Sequence, residues 1–214
     1  MIAAETLPSL ILTIEKKAWI SGLKIANSTL IQGTKMLMVD SSDGMVNIVP
    51  SNNVDLLMEK YCTVLKCIKK CPKNTQSGIC FHTYFKTLNN VNSWINFTKL
   101  PRAVLANGML IAFYDSYKSQ CNSIMYQING VYEQCTDVYV DVNGFNGPNI
   151  YGRDIFAFDL TKRGIYPRGN QNSYDDLGNL VQIAQPCTTS LISIPKVAGV
   201  SCAFKVINEN AMNY

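Results

Sequence analysis

The sequence predicts an α+β protein in which a long N-terminal helix, residues 1–39, packs on an antiparallel β-sheet head, residues 40–214. Three observations predict this fold: a helical period of apolar residues at the start, an alternating and turn-rich pattern from Ala103 onward, and eight cysteines that can hold the head together. At 214 residues, the chain is long enough for one domain with a sizeable core.

The helix is predicted from a stripe of apolar and small residues that recurs every three or four positions. Its members are Trp19, Leu23, Ala26, Leu30, Gly33 and Leu37. Residues at this spacing share one face of a helix. The small members, together with Gly22, allow another element to approach closely, so we expect this stripe to lie against the head.

The residues before this stripe have a different character. Residues 1–14 are mostly apolar and carry one charge, that of Glu5. A stretch of this length is too short to cross a bilayer, which needs about 20 residues, and no signal-peptide pattern precedes it. The segment is therefore interpreted as the end of a longer hydrophobic helix.

The eight cysteines, an even number without an obvious metal spacing, indicate disulfides and an oxidising compartment. They are Cys62, Cys67, Cys71, Cys80, Cys121, Cys135, Cys187 and Cys202. Proximity in the sequence suggests that Cys121 pairs with Cys135 and Cys187 with Cys202, which leaves the first four to pair among themselves. Zinc is the alternative for that first group, but its gaps lack the Cys-x-x-Cys spacing typical of zinc.

The head begins with a predicted helix and continues as a sheet. The helix is expected from about Asn53 to Lys70, because Pro72 disfavours a helical residue before it, and residues 53–100 form a cysteine-rich insertion. Strands are then predicted on both sides of the Asn107-Gly108 turn, from Ser123 to Ile128 before an Asn129-Gly130 turn, over residues 136–142, and from Ile155 to Phe158. Consecutive strands with tight turns predict an antiparallel meander.

Residues 141–154, here called the polar loop, are rich in glycine and in short polar side chains that bond to their own backbone. The residues singled out are Asp141, Asn143, Gly144, Gly147, Asn149 and Asp154. Their oxygens are also of the kind that calcium binds. However, only two of these side chains are carboxylates and the EF-hand spacing is absent, so the sequence favours a structural loop, with calcium as the alternative and no other cofactor.

Composition and motifs argue against several functional classes. The net charge of +4 is too small to predict nucleic acid as a specific partner. His82 is the only histidine and lies in an apolar stretch, and no nucleophile elbow, phosphate-binding loop or metalloprotease motif is present. The sequence therefore predicts a protein that is not an enzyme.

Several stretches together resemble bacterial type IV pilins and type II secretion pseudopilins. They are Ile2 to Ile11, Lys16 to Trp19, Leu23 to Leu30, the Ala-Asn-Gly-Met run around Gly108, the polar loop with its Asp-x-Asn-Gly, Gly-Pro-Asn and Gly-x-Asp-x-Phe pattern, and Ser201 to Ile207. The chain departs from the family by lacking the leader, the processing site and the first turns of the helix, and by carrying the cysteine-rich insertion.

The resemblance implies a structural subunit of a filament. Its partners would be copies of itself or other pilins, assembled by inner-membrane machinery, with the membrane contacted only through the missing N-terminal segment. The subunit would reach the cell surface through the inner membrane and periplasm. The residues expected to contact neighbouring subunits, here called the assembly residues, are Leu7, Leu10, Ile11 and Ile14. The alternative is a minor pilin or tip adhesin whose insertion binds a ligand.

Overall fold

The computed structural model describes residues 3–39, 49, 53–76, 78–114, 121, 123–127, 130–169, 172–174, 180–183, 187–189 and 195–214. Within these ranges the fold is α+β, as predicted, with α-helices followed by strands and a short C-terminal helix. The helices are α1 (Ala3–Val39), α2 (Val54–Val64) and α3 (Ala203–Glu209), with 3₁₀ turns at Phe97–Lys99 and Pro195–Val197.

The strands of the described residues form two sheets. Seven of them make one sheet in the order β1-β2-β3-β5-β6-β7, with β4 paired to β5 outside this path, and β8 pairs with β9 separately. All the pairings are antiparallel. The strands are β1 (Cys67–Cys71), β2 (Arg102–Leu105), β3 (Leu110–Phe113), β4 (Ser123–Gln127), β5 (Gly130–Asp141), β6 (Ile155–Thr161), β7 (Gly164–Pro167), β8 (Asn172–Tyr174) and β9 (Leu180–Ile183).

The predicted hairpin around Asn107-Gly108 is confirmed. β2 and β3 flank this turn, where the Gly108 N–H donates to the Leu105 carbonyl at 2.9 Å and Gly108 has a φ of +86°. A positive φ is easy for glycine and strained for other residues. β4 lies where a strand was predicted before the Asn129-Gly130 turn, although Asn129 is outside the described residues. β5 begins at Gly130 instead of the predicted Thr136.

The prediction of one helix from Asn53 to Lys70 is wrong in its second half. α2 ends at Val64, and β1, which begins at Cys67, pairs with β2. The chain reverses at Lys66, whose φ of +54° is incompatible with a continuing helix, and a disulfide joins Cys62 to Cys67 across this turn. The insertion therefore contributes the first edge strand of the main sheet.

The main sheet is covered on both faces. On one face, alternate strand residues such as Ile111, Val138 and Phe156 pack in one cluster with all three helices. On the other face, the intervening residues, among them Leu110 and Tyr139, pack with the insertion. The rings on this second face include Phe81, Phe85, Phe97, Tyr139 and Tyr151, with neighbouring centroids 4.3–6.0 Å apart.

Helix α1 packs on the head through the predicted stripe. Leu23 and Leu30 are buried in the cluster that includes the sheet. Two glycines explain how closely the helix approaches. A Cβ on Gly22 would lie 3.0 Å from the Cβ of Val142, and one on Gly33 would lie 2.6 Å from Leu65 Cδ2. The small residues are therefore needed for contact with the sheet and with the segment after α2.

The cysteines form four disulfides. Cys121 pairs with Cys135 and Cys187 with Cys202, as sequence proximity suggested. The first four pair among themselves, Cys62 with Cys67 and Cys71 with Cys80. Because each of these four sulfurs is bonded to another, the arrangement offers no thiolate to a zinc ion.

Candidate functional site

The polar loop joins β5 to β6 and is organised by its two carboxylates. Asp154, which is fully buried, accepts the Asn149 N–H at Oδ2 and the Ile150 N–H at Oδ1, both at 2.7 Å. Asp141, also buried, accepts the Asn143 N–H at Oδ1 at 3.2 Å. Both carboxylates therefore hold backbone N–H groups of their own loop, which is the arrangement expected of a self-bonded structural loop.

His82 of the insertion closes the loop from outside. Its Nε2 lies 3.1 Å from Asp141 Oδ2 and 2.9 Å from the Gly144 carbonyl oxygen. A carbonyl oxygen only accepts hydrogen bonds, so Nε2 carries a proton and donates to Gly144. The ring of Phe145 stands edge-on to the imidazole at 5.6 Å. The lone histidine thus connects the insertion to the polar loop.

Backbone contacts bring the motif segments of the sequence together at this end of the sheet. A Cβ on Gly144 would lie 2.5 Å from the Gly108 carbonyl oxygen, and one on Gly152 would lie 2.9 Å from Cys202 Sγ. The Asp-x-Asn-Gly run therefore contacts the Ala-Asn-Gly-Met turn, and the Gly-x-Asp run contacts the C-terminal Ser-Cys-Ala-Phe segment. These glycines cannot be enlarged without moving a neighbouring segment.

The oxygens of the polar loop fall into those that bond to the protein and those that do not. Three carboxylate oxygens accept backbone N–H groups, and the fourth faces His82. Asp141 Oδ2, Asn143 Oδ1 and Asn149 Oδ1 are buried without a hydrogen bond, so one carboxylate oxygen and two amide oxygens of the loop are of the kind that calcium binds. Among the described residues, no group of three or more His, Cys, Asp or Glu side chains is arranged to hold a metal ion.

Burial controls the protonation of the pair formed by Asp141 and His82. It raises the pKa of the Asp141 carboxyl from the usual 3.8 to about 7. Burial acts to lower the pKa of His82, but the contacts with Asp141 and Gly144 outweigh it and leave that pKa above the usual 6.5. The Asp141 carboxyl therefore keeps its proton up to near neutral pH, where the unfolded chain would hold an ionised aspartate.

We expect the protein to lose stability as the pH rises from about 4 to 7, by at most about 4 kcal/mol for the Asp141 shift. In this range the unfolded chain has already released the Asp141 proton, whereas the folded protein retains it. His82 acts in the same direction, because its contribution is present below pH 6.5 and is lost as the pH passes its higher folded pKa. Urea unfolding at a series of pH values measures this slope.

The substitution Asp141→Asn is expected to flatten that slope, since an amide does not titrate. Asp55→Asn, which changes an acid outside the polar loop, is the matched control and should keep the slope of the unmodified protein. An unchanged slope in Asp141→Asn would show that another group governs the pH dependence.

The assembly residues lie on the part of α1 that extends beyond the head. Leu10 is 57% exposed and Ile14 58% exposed, and Ile11 is also exposed. The side chain of Leu7 is outside the described residues. Among the side chains of α1 that the structure describes, Trp19 and Ile20 are the first along the chain to be buried. Several turns of the helix thus present large apolar side chains that the head does not cover.

Sequence reasoning missed two buried polar arrangements. His82 was expected in an apolar setting, whereas it contacts Asp141 and a backbone carbonyl. Arg168, which the sequence did not single out, forms ion pairs with Asp137 and Asp159 in the sheet. His82 has no local signal, because it reaches the polar loop from the insertion, 62 positions before Gly144. Arg168 has none because strand register places Asp137 opposite Asp159, and Arg168 follows the strand that pairs with β6.

Comparison of the chain with protein-family models, with curated proteins and with solved structures finds no match. Within the described residues, no helix combines the length and apolar character needed to span a membrane. The class of protein is therefore set by the fold itself. It is an α+β protein with a long N-terminal helix on an antiparallel sheet and four disulfides.

Proposed function

We propose that the protein is a structural subunit of a pilin-like filament, of the type IV pilus or type II secretion kind. In this proposal, the exposed turns of α1 pack against neighbouring subunits and the disulfide-bonded head forms the outer surface. The disulfides support export to an oxidising compartment, as the cell-surface location requires. The protein acts through assembly and is not an enzyme.

One observation carries the proposal: the apolar side chains of α1 continue past the end of the head. Leu10, Ile11 and Ile14 are exposed on the same helix whose later residues Leu23 and Leu30 are buried. A contiguous exposed apolar surface on a regular helix is typical of an interaction site. Neighbouring helices of the same kind would cover it, because the contact then repeats from one subunit to the next.

The convergence of the motifs gives further support. The segments that carry the pilin resemblance are distant in the sequence, yet Gly144 packs on Gly108 and Gly152 on Cys202. Motif segments that contact one another limit which residues the neighbouring segment can carry. Contacts of this kind are expected of the sequence signature of a fold and not of chance matches. The hydrogen bonds from the loop backbone to Asp141 and Asp154 support a structural role for the loop within the head.

The test is the substitution Leu10→Asp in a chain that carries an upstream hydrophobic segment of the kind the resemblance implies. We expect it to block filament formation, because a charge would be buried without a partner between subunits. The isolated protein should keep its stability within about 0.5 kcal/mol, since the site is exposed there. Electron microscopy and urea unfolding measure the two effects.

Ser21→Asp is the matched control, since it places the same charge on a position of α1 that is exposed beside the head. It should leave filaments intact, because Ser21 is not one of the assembly residues. Filaments of normal number and length from the Leu10→Asp chain would remove the main support for the proposal. Unfolding of the isolated Leu10→Asp protein would place Leu10 in the core of the head instead.

A second candidate is a minor subunit or tip adhesin, favoured by two exposed aromatic residues of the insertion. Residues 85–93 form a hairpin. The Thr87 N–H donates to the Val91 carbonyl and the Ser93 N–H donates to the Phe85 carbonyl, and Lys86 pairs with Asn92. Tyr84 and Trp94 flank it and are 82% and 59% exposed. Counting copies per filament separates the candidates, because a tip adhesin is present once and a main subunit many times.

A further inference from the structure

A groove separates the second half of α1 from the edge strand β7. It has a volume of about 300 Å³. Ile31 and Met38 of the helix and Ile165 of the strand give it an apolar lining, while Lys35 and Arg163 place two cationic side chains at it. Asn27, which also lines the groove, has a buried side-chain oxygen without a hydrogen bond. None of the described lining residues is acidic.

A complementary surface lies on the uncovered part of the same helix. Ile11 and Leu12 precede Glu15 by four and three positions, so each of them lies beside Glu15 on one side of the helix. This face continues the buried stripe, because Glu15 is one turn before Trp19. Ile11 and Leu12 are 52% and 42% exposed, and Glu15 is exposed as well. Two aliphatic side chains and one carboxylate therefore stand where the head no longer covers the helix.

We propose that the Ile11, Leu12 and Glu15 face of one copy docks into the groove between α1 and β7 of a second copy, with Glu15 against Lys35 and Arg163. The inference rests on the proposed filament and identifies the surface that receives the exposed turns. The aliphatic side chains match the apolar lining, and the carboxylate matches the two cations. The occupant is thus a second copy of this chain.

The position of the two surfaces explains why such a contact would propagate. They lie on one rigid helix, about 30 Å apart at 1.5 Å per residue between Ile11 and Ile31. A contact between two different surfaces of identical subunits is heterologous, and it extends into an open filament unless its rotation closes a ring. Repetition of this contact in the open geometry therefore extends the proposed filament.

The distance along the helix also supplies a direct test by photo-crosslinking. A photo-reactive amino acid is placed at position 11, and the labelled chain is mixed at high concentration with isotopically heavy chain. We expect light-to-heavy crosslinks to residues 31–38 or 163–167. Within one chain these residues are out of reach of position 11, so such crosslinks report the contact between copies. Crosslinks between position 11 of both copies, without any to the groove, would overturn the proposal.

Charge reversal tests the pairing of Glu15 with the groove. Glu15→Lys and Lys35→Glu, each alone, should weaken association in sedimentation equilibrium at least about tenfold, because like charges would then face each other. The two substitutions together should restore association to within about threefold of the original. Lys99→Glu makes the same charge change at an exposed position outside the groove and should have little effect.

Added salt should weaken the association of the unmodified chain and have less effect on the single variants. Equal association of all these variants, combined with loss on Leu10→Asp, would overturn the groove contact and leave the proposed filament standing. Equal association of these variants and of Leu10→Asp would overturn both. Loss in both single variants without recovery in the double variant would also overturn the pairing of Glu15 with Lys35.

Discussion

Replacement of Arg168 by methionine is expected to lower the free energy of unfolding by about 3–5 kcal/mol at neutral pH, the largest effect we expect from one side chain. Asp137 of β5 and Asp159 of β6 are direct partners in the sheet register. Two carboxylates placed opposite each other repel. The guanidinium of Arg168 lies against both of them, and Arg168 Nε donates to Asp159 Oδ1 at 2.9 Å.

The backbone of Arg168 adds to this role. Its N–H donates to the Ala157 carbonyl, and its carbonyl accepts the Phe204 N–H, both at 3.0 Å. The side chain therefore neutralises the two carboxylates at the point where the chain after β7 meets β6 and α3. Methionine keeps much of the volume but leaves Asp159, which is fully buried, without its cationic partner.

Urea unfolding at neutral pH measures the effect of Arg168→Met. The triple variant Arg168→Met, Asp137→Asn, Asp159→Asn is the control and should recover most of the lost stability. A loss below about 1 kcal/mol in Arg168→Met at neutral pH would show that the ion pairs contribute little.

The second large effect is expected from Leu30→Ala, which should destabilise the protein by about 2–5 kcal/mol. Leu30 is buried in the cluster that joins α1 to the sheet and to the other helices, so its removal leaves a cavity. Leu10→Ala is the matched control on the same helix. It should change stability by no more than about 0.5 kcal/mol, because Leu10 is exposed.

Fluorescence-detected urea unfolding measures both variants, since Trp19 is buried and reports the docking of α1. Equal losses in the two variants would contradict the division of α1 into a covered and an uncovered part. A small loss in Leu30→Ala with a normal Trp19 signal would show that the cavity is filled by rearrangement of its neighbours.

The sequence alone determined the elements whose signals are local. The spacing of Trp19, Leu23 and Leu30 predicted the covered face of α1, since a helix repeats every 3.6 residues. The Asn107-Gly108 pair predicted a hairpin because only certain residues accept its turn. The pairing of Cys121 with Cys135 followed from their proximity. Each of these features depends on residues within a few turns or one short loop of each other.

The tertiary structure decided the rest. α2 ends at Val64 because the following segment joins the sheet as β1, which its helical pattern did not predict. His82 meets the Gly144 carbonyl across 62 positions of sequence, and Arg168 meets Asp137 through strand register. These contacts were not predictable, because the apolar periods fix which face of an element is buried but not which element it meets. Strand register and the path of the insertion select the partners, and they are properties of the whole fold.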